Sequence, residues 1–387
     1  MIYRQGVYER AGEPRPANAG AWDSEEQRLA SLRSELDAIH DRVRADLGAE
    51  DVAYIESIDR LSRRLTVAGR VLIFAGMDPL SYSAGVLALA AAHQLQVCEI
   101  GHTALHGAYD KLADELPGAA KYHSMKFRWV GEIDEESWRR VHNLLHHGHT
   151  NIVGRDSDLL VGFARWSPEA KHHFYHRLQL LFSATYPLYW WSGMSLHSAG
   201  VLDLFARTQA ESVVVNDKSL RTFFAAHKRA LRKIVPYKLK NYVVYPALAG
   251  PLFLKVLVGN WLADHLRDVY TAATMHCNHI GPDVHHYAAD RQARSRGEWY
   301  EMQIEAANNF EVPHWMSVLC GGLDYHIEHH LFPRLPPNRL REIAPQVKAV
   351  CARHGVRYRT GSWPRTLATS LRTLARLSRP LPSDASP

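Results

Sequence analysis

Cysteine is scarce in this chain. Its four cysteines, Cys98, Cys277, Cys320 and Cys351, lie far apart and form no CxxC pair, which excludes a disulfide framework or a zinc ribbon as the organising element. The amino terminus, MIYRQGVYERAGEPRPANAG, has no apolar core, so no cleaved signal peptide is expected. Long apolar runs are few: 46% of residues are hydrophobic and mean hydropathy is -0.27. A transporter filled with spans is therefore excluded. Acidic residues are outnumbered, 40 against 46 Lys and Arg, for a formal charge of +6. That balance suits anionic lipid or an acidic protein partner. No nucleic-acid-binding motif accompanies it, and no internal repeat is evident.

The apolar residues that are present fall into a helical pattern. Residues 1–20, rich in Pro, Gly and Ala, read as a flexible arm. Residues 22–65 alternate charged and apolar positions at helical spacing and predict an amphipathic helix. Val67–Met77 is apolar apart from Arg70, Asp78-Pro79 breaks it, and Leu80–Val97 resumes it. Two short spans joined by a turn at Asp78-Pro79 are expected. Leu178–Leu204 contains the aromatic stretch YPLYWWSGM, suited to a membrane interface. Tyr242–Leu262 is a further run, continuing as a less apolar helix to about Ile280. No run is a strong span alone. The basic segment 205–240 conflicts with up-and-down counting, because the positive-inside rule keeps it cytosolic; one run is then re-entrant or interfacial. Leu367, Leu371 and Leu374 share a face among Arg365, Arg372, Arg376 and Arg379, as in a basic interfacial helix or a frayed tail. The expected division is an arm and amphipathic helix over 1–65, a main domain over 66–360 and a basic tail over 361–387.

What the chain has in excess is histidine, 24 in all, and the histidines cluster. EIGHTALHGAYD places His102 and His106 four apart, on one helical face. RRVHNLLHHGHTNIVGRDSD repeats the spacing with His142 and His146 and adds His147. Adjacent helical residues point about 100° apart, so such a box can serve two metal centres. His149, beyond Gly148, is out of phase and is read as a non-ligand. GGLDYHIEHHLFPRLPPNRL supplies His326, His329 and His330. The segment TMHCNHIGPDVHH offers His276, Asn278, His279, His285 and His286. Imidazole suits iron, copper, zinc and nickel. One zinc closes with four ligands and would waste most of these residues. Soluble di-iron bundles repeat Glu and ExxH motifs, which are not repeated here. An all-histidine pair of redox irons is the better match.

At these boxes, from about Ala68 to Thr369, the sequence resembles the membrane fatty acid desaturase family, most nearly the bacterial acyl desaturases grouped with front-end and linoleoyl-type enzymes. KNYVVYPALAG and CARHGVRY are similar to the same branch. The resemblance implies an all-α fold, an integral membrane helical stem of about four spans with a cytosolic helical cap, and histidine boxes on the cytosolic side. It implies two iron ions held by His102, His106, His142, His146, His147, His326, His329 and His330. His279 of CNHIG matches the family's ninth ligand; His276 does so less well. Front-end members often have Gln where His326 stands, which leaves regiochemistry open. No HPGG haem motif is present, so a separate donor, ferredoxin or cytochrome b5-like, is expected to supply electrons.

The implied chemistry is O2-dependent insertion of a double bond into a fatty acyl chain carried as lipid, acyl-CoA or acyl carrier protein. Breaking an unactivated C–H bond needs a strong oxidant, made by reducing O2 at a metal. A lipid hydroxylase with the same site, or a non-catalytic membrane metal-binding protein, remains open. Asp110, Asp156, Asp158, Asp324 and Glu328 lie near the boxes and are candidate partners for the imidazole N–H groups. Trp129, Trp138, Tyr186, Trp190, Trp261 and Phe310 are candidates to line an acyl tunnel. Lys126, Arg128, Arg139 and Arg140 form a basic face for a phosphate-bearing headgroup or an acidic donor.

Overall fold

The computed structural model describes residues 22–160, 164–205, 213–215 and 217–382. The expected arm, residues 1–20, lies outside them. Among the described residues the fold is all-α: no strand forms, and only two isolated bridges, Ile152–Tyr287 and Glu311–Ser362, occur.

The amphipathic pattern of residues 22–65 divides at Gly48 instead of continuing as one helix. Helix α1 (Glu25–Ala45) is capped by Ser24, whose side chain accepts from Gln27 N–H. It buries Leu32, Leu36, Ile39 and Val43 at helical spacing. Helix α2 (Ala49–Ala75) starts where the Asp51 carboxylate accepts from Gly48 N–H at 3.0 Å. The apolar run Val67–Met77 is therefore the end of α2 rather than a separate element. Helix α3 (Pro79–Gln94) follows a turn at Gly76–Asp78. Asp78 caps it through Leu80 and Ser81 N–H at 3.0 and 2.9 Å, with Pro79 at its first position. The expected turn at Asp78-Pro79 is where it should be.

The two helices touch backbone to backbone. A Cβ on Gly69 would lie 2.8 Å from Leu89 N, and one on Gly85 would lie 2.8 Å from Ile73 N. Close approach through small residues is how helices pack where little hydrophobic gain separates helix from surroundings.

Among the described residues, no helix is long and apolar enough to cross a membrane. Leu178–Leu204 breaks into short pieces, including Gln179–Thr185 and α4 (Trp190–Ser198). The basic segment forms α5 (Leu220–Leu239), which buries Ala226 and Ala230 against Ala199 and Val201. Tyr242–Leu262 is not one rod. The chain turns at Gly250-Pro251, with Gly250 at φ 56°, and returns as α6 (Phe253–His279). Tyr242 and Tyr237 hydroxyls donate to Asp264 at 2.7 and 2.6 Å, and Asn260 donates to Asn241 O at 2.7 Å. Two hairpins thus stand side by side, their tips joined where Tyr82 OH donates to Lys255 O at 2.8 Å. The basic helix α5 and the histidine boxes lie at the same end of the hairpins, where Lys233 donates to Trp129 O at 3.0 Å and Trp129 packs on Trp138 beside the second box.

Helices α7 (Arg296–Glu305) and α8 (Pro337–His354) pack on α1 in the main core. Helix α9 (Trp363–Leu377) docks on α6, with Leu374 buried, Leu367 packed and Leu371 exposed. The leucine face is therefore a packed helix, not a frayed tail.

Replacing Gly85 with Leu should separate α2 from α3. Overpacking of this kind costs about 1–3 kcal/mol, and a fall in the thermal midpoint of the purified protein checks it.

Candidate metal centre

The boxes sit where regular α-helix gives way. The rod begun by α3 continues as a π-helix over Leu95–His102, and the second box lies on another, Arg139–His146. A π-turn widens the helix and redirects its side chains, a device frequent at functional sites. The third box occupies a short helix, His326–Leu331. It is entered through Gly321 and Gly322, both at φ 71°, a conformation glycine adopts without Cβ strain. Ile327 N–H is held by Asn309 Oδ1 at 2.8 Å. Asn309 and Tyr358 also donate to buried Glu328, whose carboxyl burial pushes up to about 7. His279 is the last residue of α6.

These four segments bring all nine predicted histidines into one buried cluster. The ring nitrogens of His102, His106, His142 and His329 lie within 4.8 Å of one another, and so do those of His146, His279 and His330. His326 Nε2 stands 2.7 Å from His279 Nε2 and 3.1 Å from His330 Nε2. His147 lies between the groups, with ring centroids 4.6 Å from His106 and 4.4 Å from His330. His276 is not brought in: its Nδ1 donates to Ala272 O, and it packs beside Trp166 and Trp190. His149 also stays outside, its Nδ1 on Leu145 O.

The partners of the outer ring nitrogens define what the inner ones do. His146 Nδ1 meets Asp156 at 2.9 Å, His279 Nδ1 meets Ala306 O at 3.2 Å, and His330 Nδ1 meets Gln303 Oε1 at 3.2 Å. Each partner is an acceptor, so each Nδ1 carries a proton, and in His279 and His330, which burial keeps neutral, Nε2 is then a bare lone pair. Yet His279 Nε2 and His330 Nε2 are only 3.2 Å apart, and buried His146 Nε2 has no hydrogen-bond partner. Converging lone pairs with no proton to share are costly in a dry core. A cation among them removes that cost, and neutral imidazole with an anchored outer nitrogen is what metal ligation requires. The cluster fits a metal site.

The electrostatics agree. Burial, reinforced by neighbouring rings, holds His102, His106, His147, His279, His326, His329 and His330 well below the usual imidazole range. His146 differs. Burial opposes its charge, but Asp156 and Asp158 outweigh burial and push it up to about 9.

Of the carboxylates singled out from sequence, two reach the boxes. Asp156 holds His146, and Asp158 lies 3.6 Å from His142 and 3.7 Å from His146. Asp110 instead accepts from Ser124 N and Oγ at 2.7 Å, shaping the loop after the first box. Asp324 faces Ser317, and Glu328 faces Asn309 and Tyr358. Sequence reasoning missed Gln303, Thr150 and His197. Thr150 lies 3.2 Å from His330 Nδ1, and buried His197 is 3.8 Å from Asp158. Neither a lone Gln nor a Thr carries a sequence signal.

Among the aromatics, Trp138 stacks on His142 at 4.4 Å and meets His102 and His106 edge-on, while Trp129 packs behind it at 5.4 Å. Trp190 lines a narrow cavity of about 20 Å³ with Met194, Met275, Leu159, His146 and His279. Tyr186 packs on Trp190. Trp261 stacks on His265 and Phe310 on Trp363, both away from the cluster. Arg139 and Arg140 are committed to the Ser124 and Val214 carbonyls, so the expected basic face reduces to Lys126 and Arg128.

Among the described residues, an all-helical fold enclosing nine inward histidines fits the class of polyhistidine metal-site proteins. Comparison with known proteins narrows that class. The fatty acid desaturase family profile matches residues 79–362. The chain is 31% identical over 358 residues to the NADPH-dependent stearoyl-CoA 9-desaturase of Mycobacterium tuberculosis, covering 91% of this chain and 80% of that protein. It is 26% identical over 283 residues to the sn-1 linoleoyl-lipid 6-desaturase of Synechocystis, covering 71% and 74%. The chain belongs to the fatty acid desaturase family, and it is an oxidoreductase of lipid metabolism.

Asp156→Asn and Gln303→Ala should each weaken metal binding by about 10–100-fold, as losses of outer partners do. Competition with a chelator of known affinity measures the change.

Proposed function

We propose that this protein is an O2-dependent acyl desaturase that holds two iron ions with His102, His106, His142, His146, His147, His279, His326, His329 and His330. The observation that carries this reading is the set of buried imidazole Nε2 atoms converging at 2.7–3.2 Å, with those of His279 and His330 bare. Nine donors exceed the four that would close a tetrahedral zinc site. Bound iron supplies the power to activate O2 for attack on an unactivated C–H bond.

The chain's own residues do the rest. Asp156, Gln303 and the Ala306 carbonyl fix the imidazole tautomers. Trp138 and Trp129 close one side of the cluster against water. Trp190, Met194 and Met275 present apolar surface beside His146 and His279, against which an acyl chain would meet the cluster. Overall, one CH2–CH2 unit, O2, two electrons and two protons give CH=CH and two waters. The electrons come from a separate donor; the mycobacterial relative is named NADPH-dependent, which supports an external reductant.

A membrane setting belongs to the same reading, with the histidines on the cytosolic side. It is supported by the exposed apolar residues at the hairpin tips and flanks. Met77, Leu80, Leu248 and Leu254 are 83%, 81%, 77% and 71% exposed. Such clustering marks a surface covered by something apolar, and α5 brings its basic residues to the level where anionic headgroups lie.

Expression in a host followed by lipid mass spectrometry tests the function. New unsaturated acyl chains are expected, and His146→Ala or His329→Ala should abolish them. Hydroxylated chains instead of unsaturated ones, or product persisting in the variants, would contradict the proposal.

A further inference from the structure

On the outer side of the helix that carries His102, a cleft of about 680 Å³ opens between α2, the 121–130 loop and the end of α5, with Gln96 and Ile100 in its floor. Its walls carry Arg63, Arg70, Lys121, Lys126, Arg128 and Lys240, against Asp59 as the one described carboxylate. Asp59 is already engaged by Arg63 at 3.0 Å and Lys121 at 3.1 Å. Lys126, Arg128 and Lys240 have no ion-pair partner among the described residues. Arg70 reaches in from α2, its guanidinium 3.7 Å over the Tyr245 ring and its Nη2 2.8 Å from Asn241 Oδ1. Its buried Nε has no partner. So many like charges around one hollow repel each other and favour a multivalent anion.

The cleft shares Arg70 and Tyr245 with a second hollow of about 310 Å³. That groove is apolar, walled by Val71, Phe74, Leu248 and Val256, and Val71, Phe74 and Leu248 are exposed. A cationic head site that adjoins an alkyl groove across the Arg70–Tyr245 pair suits one amphiphile. The groove runs toward the hairpin tips, away from the histidines: Tyr54, far back on α2, is the residue that meets Glu99 beside the first box. Inward from the cleft the way is filled. Trp129 donates to Gln96 O at 3.2 Å, packs against Gly101 and backs onto Trp138.

We propose that the cleft and groove together bind an anionic phospholipid, its phosphate among the cations and one acyl chain along α2 and residues 245–256. This is a site apart from the one that presents substrate to the histidines. The inference rests on the reading that these hairpins lie in a bilayer.

Native mass spectrometry of the full chain released from phosphatidylcholine nanodiscs doped with phosphatidylglycerol tests it. The protein should retain one phosphatidylglycerol at least about tenfold in preference to phosphatidylcholine. Each basic residue near an anionic surface contributes roughly fivefold, so Lys126→Gln, Arg128→Gln and Lys240→Gln combined should cut retention by roughly a hundredfold. Equal retention of both lipids, or an unchanged preference in the triple variant, overturns the proposal. Displacement of the lipid by equimolar coenzyme A or pyrophosphate would assign the cleft to a soluble phosphate and overturn the lipid source. Fractionation separates the failures: protein recovered in the soluble fraction removes the membrane reading, whereas membrane-bound protein without a lipid preference removes only this site.

Discussion

The structure turns on imidazole lone pairs that face each other across about the width of a metal ion. His279 Nε2 and His330 Nε2 are 3.2 Å apart, and acceptors on the far side of each ring deny them a bridging proton. In water such rings would turn away. In this core they are held by Ala306, Gln303 and the packing around them, so the protein stores an unfavourable arrangement that a cation makes favourable. Under the proposed reading, metal binding and folding of the centre are one process. His146 is the opposite case, because its aspartate neighbours favour a proton that ligation would have to remove.

Holding that arrangement requires rigid approach from several directions. The rods of α3 and α6 deliver His102 and His279 from one side, and the third box arrives through a glycine turn from the other. Close contact at Gly69 and Gly85 fixes the first rod, and the Tyr237, Tyr242 and Asp264 bonds fix the second. The two hairpins also separate the molecule into an apolar, exposed end and a polar, histidine-bearing end. That polarity gives a desaturase reading physical sense: an acyl chain belongs with lipid, whereas O2 reduction needs protons and electrons from the aqueous side.

Much of the centre was legible in the sequence, because ligand spacing is a local property. HxxxH and HxxHH place their rings by helical phase alone, and all nine predicted histidines converge. His279 was identified by family likeness, not by spacing, and His276, three residues earlier, points elsewhere. The outer partners were harder. Asp156 and Asp158 were visible as charges beside a box, but Asp110, Asp324 and Glu328 looked the same and serve other contacts. Gln303 and Thr150 come from distant or unpatterned positions. The bounds of the apolar runs were misjudged for a different reason: hydropathy averages over a run, so the Gly250-Pro251 turn inside Tyr242–Leu262 and the break at Gly48 were smoothed over. The π-turns carry no periodicity signal short enough to detect.

Metal stoichiometry of the protein purified from iron-replete membranes tests the central claim most directly. Elemental analysis should find two irons per chain, lost together with thermal stability on chelation. Less than about one iron per chain in catalytically active membranes, or zinc in its place, would contradict it.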